Sequence, residues 1–343
     1  MLLAVAIGFG WTKSLAREAV SVSLKKTFLT EEISQEYLFP ILQDGKSGYI
    51  DRAGRVAIQP RFDGVSVFSE ELALVKMGDK YGYIDITGEV AIQPQFDGAW
   101  NFSEGLALVK IDNKWGYIDK AGKVAIQPQF DAASNFSEGL ALVTIGDKLG
   151  YINKTGQIAI QPQFKYAYDF SEGLAQAKIG DKYGYINKTG KIIIQPQFDG
   201  VADFSEGLAA VKINDKYGYI NKTGRIVIQP QFDRAYRFSE GLASVEIRDK
   251  DGYIDKTGRI AIEPQFDWCA NFSEGLAIVR INNKWGYIDK TGKVAIPPQF
   301  DLAYPFVRGL AAVGIRESSY SPFNPLQYGY IDKSGKSIWK PTN

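Results

Sequence analysis

The chain has no histidine and one cysteine, Cys269. The absence of histidine removes the usual general base at neutral pH, the histidine-dependent triads and most zinc sites. A lone cysteine excludes an intrachain disulfide and a thiolate metal cluster. Charge of one sign is also missing, since 40 Lys and Arg stand against 39 Asp and Glu for a net charge of +1. Such a balance gives no electrostatic footing for nucleic acid. Long hydrophobic runs are scarce. Leu2 to Trp11 is an apolar run of ten, too short to cross a bilayer as a helix. With Ser14-Leu15-Ala16 as a small-x-small cleavage site, residues 1–16 read as a signal peptide. Export is the expectation, with a cytoplasmic protein whose leader packs on the first repeat as the alternative. No transmembrane span, cofactor or metal is expected.

Glycine and aromatic residues are plentiful, and they are periodic. Gly48-Tyr49, Gly82-Tyr83, Gly116-Tyr117, Gly150-Tyr151, Gly184-Tyr185, Gly218-Tyr219, Gly252-Tyr253 and Gly286-Tyr287 follow one another at intervals of 34 residues, and Gly329-Tyr330 follows after 43. The chain is one small unit copied about nine times over residues 38–343, preceded by a lead-in or cap at 17–37. The last copy carries an insertion at 316–327. A uniform array offers many equivalent places, whereas catalysis needs unlike groups gathered at one place. An enzyme is therefore not expected, and no catalytic residue is assigned.

Residues 106–139, LALVKIDNKWGYIDKAGKVAIQPQFDAASNFSEG, represent the unit. Val, Ile, Tyr and Phe dominate, Gly, Asn, Asp and Pro punctuate, and no 3.6-residue period appears, so the unit is all-β. Leu106 to Ile111 reads as a first strand. Ala107 and Val109 scarcely vary between copies while the position of Leu108 varies widely, so alternation puts 107, 109 and 111 in a core and 108 and 110 outside. Asp112-Asn113 is a tight hairpin turn. The second strand is Lys114 to Asp119, whose invariant Gly116 marks a bulge or a close backbone approach. The turn Asp119 to Gly122 closes with a left-handed glycine. The third strand runs from Lys123 to Gln127, with Pro128 expected to end it. Phe130 and Phe136 are expected to plug gaps between sheets. Each unit is thus a three-stranded antiparallel meander with an aromatic-anchored connection.

Lys114-Trp115-Gly116-Tyr117-Ile118-Asp119 and Lys284-Trp285-Gly286-Tyr287-Ile288-Asp289, with the recurring Gln-Pro-Gln-Phe-Asp and Phe-Ser-Glu-Gly-Leu-Ala, resemble the WG or KWG repeat over roughly residues 38–340. The resemblance implies a bacterial β-repeat protein that binds partners, and it supplies no catalytic residues. Nine units of 34 residues lie outside the usual four to eight propeller blades. An open superhelix or solenoid of stacked meanders is therefore the expected shape, with a closed β-propeller-like ring as the alternative.

The Glu of Ser-Glu-Gly, for example Glu104 and Glu138, reads as a turn acceptor or partner of a repeat lysine, since one carboxylate per unit cannot supply the oxygens calcium needs. The seventh copy deviates most, with Glu246, Arg248, Asp251, Glu263, Trp268 and Cys269, a pattern that fits drift on a solvated face. The contact candidates are aromatics in the loop after Phe-Asp: Trp100, Tyr166, Tyr168, Tyr236, Trp268 and Tyr304. Other copies hold small residues at these variable positions, and exposed Trp and Tyr are typical interface anchors. Together these features point to a non-enzymatic interaction scaffold for a protein partner, or alternatively for a cell-wall or other polysaccharide.

Overall fold

The computed structural model describes residues 37–316 and 327–340. The signal-peptide reading of residues 1–16, nearly all of the lead-in and the interior of the insertion lie outside the described residues.

Each copy folds because its turns are chemically fixed. In the third unit, Asp112 and Asn113 both take positive φ, 49° and 64°, as a two-residue hairpin with the right twist requires. At the second turn Gly122 donates its N–H to the Asp119 carbonyl at 2.9 Å, with φ at 78°. The Asp119 carboxylate accepts the N–H of Ala121 and of Lys123, so the side chain closes the turn that its own backbone begins.

These turns join four antiparallel strands in spatial order, Gly98–Ala99, Leu106–Ile111, Lys114–Asp119 and Val124–Phe130. Two expectations are corrected here. Where the sequence predicts loop, a two-residue strand adds to the edge of the meander by pairing Gly98 with Lys110 and Ala99 with Val109. The last strand also continues through Pro128 to Phe130. It pairs on one side only, so a missing proline N–H leaves no ladder partner unsatisfied. Gly116 allows this strand to cross close by, because a Cβ at Gly116 would lie 2.6 Å from the Ile126 carbonyl oxygen and 2.6 Å from the Pro128 nitrogen.

The described residues form nine such sheets, the first with three strands and the other eight with four. Neighbouring sheets pack face to face. Leu108, Tyr117, Ile126 and Phe130 of the third blade meet Phe136, Ala141, Val143 and Ile152 of the fourth. Both faces of each central strand are therefore covered, and Leu108, expected outside, is buried at 2% exposure. Each interface is keyed by a buried tyrosine whose hydroxyl donates to a main-chain carbonyl of the next blade. Tyr117 donates to Ser134 at 2.7 Å while its ring lies 4.8 Å from that of Phe136. Phe136 thus fills the gap between sheets, as its recurrence suggested.

The ends of the array meet. Tyr330 of the ninth blade donates to the Pro40 carbonyl of the first at 2.7 Å. Phe39, Ile41 and Ile50 form a buried cluster with Leu310, against which the partly buried Tyr330, Ile338 and Trp339 pack. The Arg308 guanidinium lies over the Tyr37 ring at 5.4 Å. The seam is thus also held by a tyrosine hydroxyl on a main-chain carbonyl, here one in the first strand Phe39–Gln43 rather than just after a two-residue strand. The expected open superhelix is therefore incorrect, and the protein is a nine-bladed β-propeller ring. Copy number misled because closure depends on the angle between neighbouring blades, which the packing of their faces sets and a repeat count does not record.

Candidate functional site

A belt of Ser-Glu-Gly turns runs from blade to blade. Ser103 donates to the Phe136 carbonyl of the next blade at 2.8 Å. Glu104 accepts the Gly139 N–H at 3.0 Å and pairs with Lys154 at 3.0 Å. Glu104 itself sits at φ 54°, a left-handed conformation that costs a non-glycine residue energy. Partial burial would raise its pKa, but Lys154 and the Gly139 N–H outweigh that and hold it low. The repeated glutamates are thus turn acceptors and lysine partners, as their spacing suggested. Among the described residues, no group of three or more Cys, Asp or Glu side chains is arranged to hold a metal ion.

The six candidate aromatics lie at one edge of the blades, in or just after the two-residue strand. Trp100, Tyr168, Tyr236 and Tyr304 are equivalent residues on alternate blades, and the intervening blades hold Ser66, Ser134, Ala202 and Ala270 there. The main-chain carbonyl at this position accepts the tyrosine key whatever the side chain, as at Trp100 and Ser134. The frame therefore fixes the backbone and leaves the side chain free. The aromatics at this position are exposed: Trp100 at 57%, Tyr168 at 47%, Tyr236 at 36% and Tyr304 at 45%. Tyr166 and Trp268 belong to the two-residue strand itself.

Five of the six have a side-chain neighbour. Lys178 lies over Tyr166 and over Tyr183 at 5.5 Å each. Tyr168 lies beside Tyr183, and burial raises its pKa. Trp268 is half-buried with its ring 5.1 Å from that of Trp285, which itself carries Arg280 at 5.6 Å. Tyr304 faces Tyr328 at 6.5 Å, and Tyr236 lies beside Arg234. Trp100 alone takes no hydrogen bond, ring or cation on its side chain among the described residues. It forms one wall of a cleft of about 510 Å³ between the second and third blades, with Tyr81 and Trp115. The cleft is not visible in the sequence because Tyr81, which lines it together with Trp100, lies on the preceding repeat.

The seventh blade corrects another expectation. Asp251 is buried at 4% exposure and accepts the Cys269 N–H at 2.8 Å. Ser244, also buried, lies 3.1 Å from the Cys269 sulfur. Asp251 and Cys269 thus form a polar plug inside a blade interface, whereas Arg248 and Glu263 of the same copy lie on a solvated face. Burial raises the Asp251 carboxyl and pushes the Cys269 thiol up to about 12, so the thiol is protonated and poorly nucleophilic.

A family model described as WG containing repeat matches residues 48–81, 81–115, 115–148, 150–183, 183–217, 217–250, 252–285 and 285–316. A search of curated proteins finds no match. Among solved structures, apo AztD from Citrobacter koseri is similar at 13% identity, covering 90% of this chain and 96% of that one with a TM-score of 0.43. Kluyveromyces lactis Hsv2p is similar at 10% identity, covering 77% and 95% with a TM-score of 0.41.

Proposed function

This chain belongs to the WG containing repeat family, and on that premise we propose that it is a non-enzymatic binding scaffold whose ligand meets the aromatic edge of the ring. One observation carries the reading. Large aromatics stand exposed at a position where the frame constrains only the backbone. A side chain with no role in the frame is free to be selected for contact. Exposed Trp and Tyr flanked by Lys and Arg match the residues that dominate protein interfaces, and a protein is the first partner class. A polysaccharide is the second, favoured because Trp100, Tyr168, Tyr236 and Tyr304 hold equivalent places in successive blade pairs, as a polymer with its own repeat would use.

The test is a triple alanine variant of Trp100, Tyr166 and Tyr304, which are all exposed. The wild-type chain is used to capture a partner from cell extract, and affinities for that partner are then compared. We expect a loss of about thirtyfold or more, since one true anchor contributes about 2 kcal/mol. The melting temperature should be nearly unchanged. Undiminished affinity in the triple variant would show that these rings are not the contact surface.

A further inference from the structure

The cleft beside Trp100 has a composition found nowhere else on the edge. Its blade is the only one from the second to the ninth that combines a glycine at the start of the two-residue strand, Gly98, with an aromatic two residues on, Trp100. In the fifth, seventh and ninth blades, the counterparts of Gly98 are Tyr166, Arg234 and Leu302, which occupy that space. A Cβ at Gly98 would already approach the Trp115 ring to 3.2 Å. The glycine thus leaves room in front of Trp115, while Trp100 stands free beside it.

The chemistry of the walls narrows the ligand. Trp100, Tyr81 and Trp115 supply aromatic surface, and Ser66, Asp97 and Asn101 supply polar atoms at its margin. Lys76 lies over the Tyr81 ring and Lys110 over the Trp115 ring, at 5.8 and 5.9 Å. Lys80 pairs with Asp97 and holds that carboxylate ionised, with its pKa lowered. Three lysines around one aspartate disfavour a cationic ligand. Asn101 uses its carbonyl oxygen to accept from Ser66 at 2.5 Å, which leaves its amide N–H groups to donate. A pyranose ring matches this set. It has a face of C–H groups to lie on the electron-rich face of an indole, and a rim of hydroxyls for an amide donor and a carboxylate acceptor. The volume also falls in the range of small-ligand sites.

We propose that the cleft between the second and third blades is a saccharide subsite, in which one sugar ring stacks on Trp100 and turns its hydroxyls to Asn101 and Asp97. The inference rests on the binding-scaffold reading and names a ligand class for one place on it. The full chain is titrated with soluble oligomers of glucose, of N-acetylglucosamine and of galacturonic acid, followed by calorimetry and tryptophan fluorescence. One of the three should bind saturably at a single site per chain. Trp100→Ala should weaken it about tenfold or more, a loss of 1.4 kcal/mol or greater. Gly98→Leu should do the same by filling the cleft, and Leu302 shows that the frame accepts leucine there. Val227→Ala, at an exposed residue of the sixth blade outside the aromatic edge, should leave binding unchanged. No saturable binding by any oligomer overturns the assignment, as does binding that survives both cleft variants or falls equally with Val227→Ala. A captured protein partner lost on Trp100→Ala, with no saccharide bound, overturns the saccharide subsite and leaves the scaffold standing. Loss of neither overturns both.

Discussion

Leu108→Ser separates a strand with one solvent face from a strand packed between two blades. A one-faced strand would tolerate serine at a position that varies as widely as this one. The ring instead buries Leu108 among Tyr117, Phe130 and Phe136 of two blades. Truncating a buried leucine to alanine costs about 2–5 kcal/mol. A hydroxyl left in that space without a partner adds about 1–3 kcal/mol. The expected total is about 3–8 kcal/mol. Serine does occur at this position in the seventh blade, where Ser244 meets the Cys269 sulfur at 3.1 Å. The counterpart of Cys269 beside Leu108 is Ala133, which offers no such partner. Adding Ala133→Cys to Leu108→Ser should therefore recover part of the loss, roughly the 0.5–1.5 kcal/mol of one hydrogen bond. Urea unfolding followed by circular dichroism gives these differences as midpoint shifts at constant slope. A Leu108→Ser variant within about 0.5 kcal/mol of wild type, the range of ordinary surface substitutions, would refute the two-sided packing.

Two further predictions concern the seventh blade and the seam. Burial holds the Asp251 pKa above its ordinary value of 3.8, so ionisation costs stability that is present at lower pH and lost as pH rises through the folded value. Asp251→Asn, which keeps an acceptor for the Cys269 N–H, should raise the melting temperature at neutral pH and lose that advantage below about pH 4; an advantage independent of pH would contradict a buried carboxylate. Phe39→Ala should deprotect amides of Gln327–Asp332 in hydrogen exchange as well as its own strand, because Phe39 lies 5.4 Å from the Tyr330 ring across the seam. Deprotection confined to the first blade would argue for an unclosed array.

The repeat, its turns and its glycines were legible because each is a local constraint. Gly116 and Gly122 answer to atoms within their own unit or to backbone angles, so their recurrence in one sequence reports the cause directly. The faces were not legible for the opposite reason. Period-two alternation sorts residues into inside and outside only when one side of the sheet meets water. Here each side meets another blade. Variation at the position of Leu108 then reflects compensation across an interface, as when Gln176 reaches Asp203 at 2.6 Å in the next blade. That signal resembles solvent exposure in a single sequence. Pro128 misled in the same way, since the rule that it ends a strand applies to strands paired on both sides.

The edge aromatics were legible as variable positions, and the structure explains why variation there is cheap. The residue after the two-residue strand contributes its carbonyl to the tyrosine key and little else to the frame. Ser134 and Tyr168 serve that key equally well, at 2.7 and 2.6 Å. Folding therefore places no demand for a large ring on alternate blades. Small residues in between leave each ring clear of a like neighbour, which suits separate contacts better than one continuous apolar patch. From the second blade to the ninth, the eight described copies of this position alternate small and aromatic without a break.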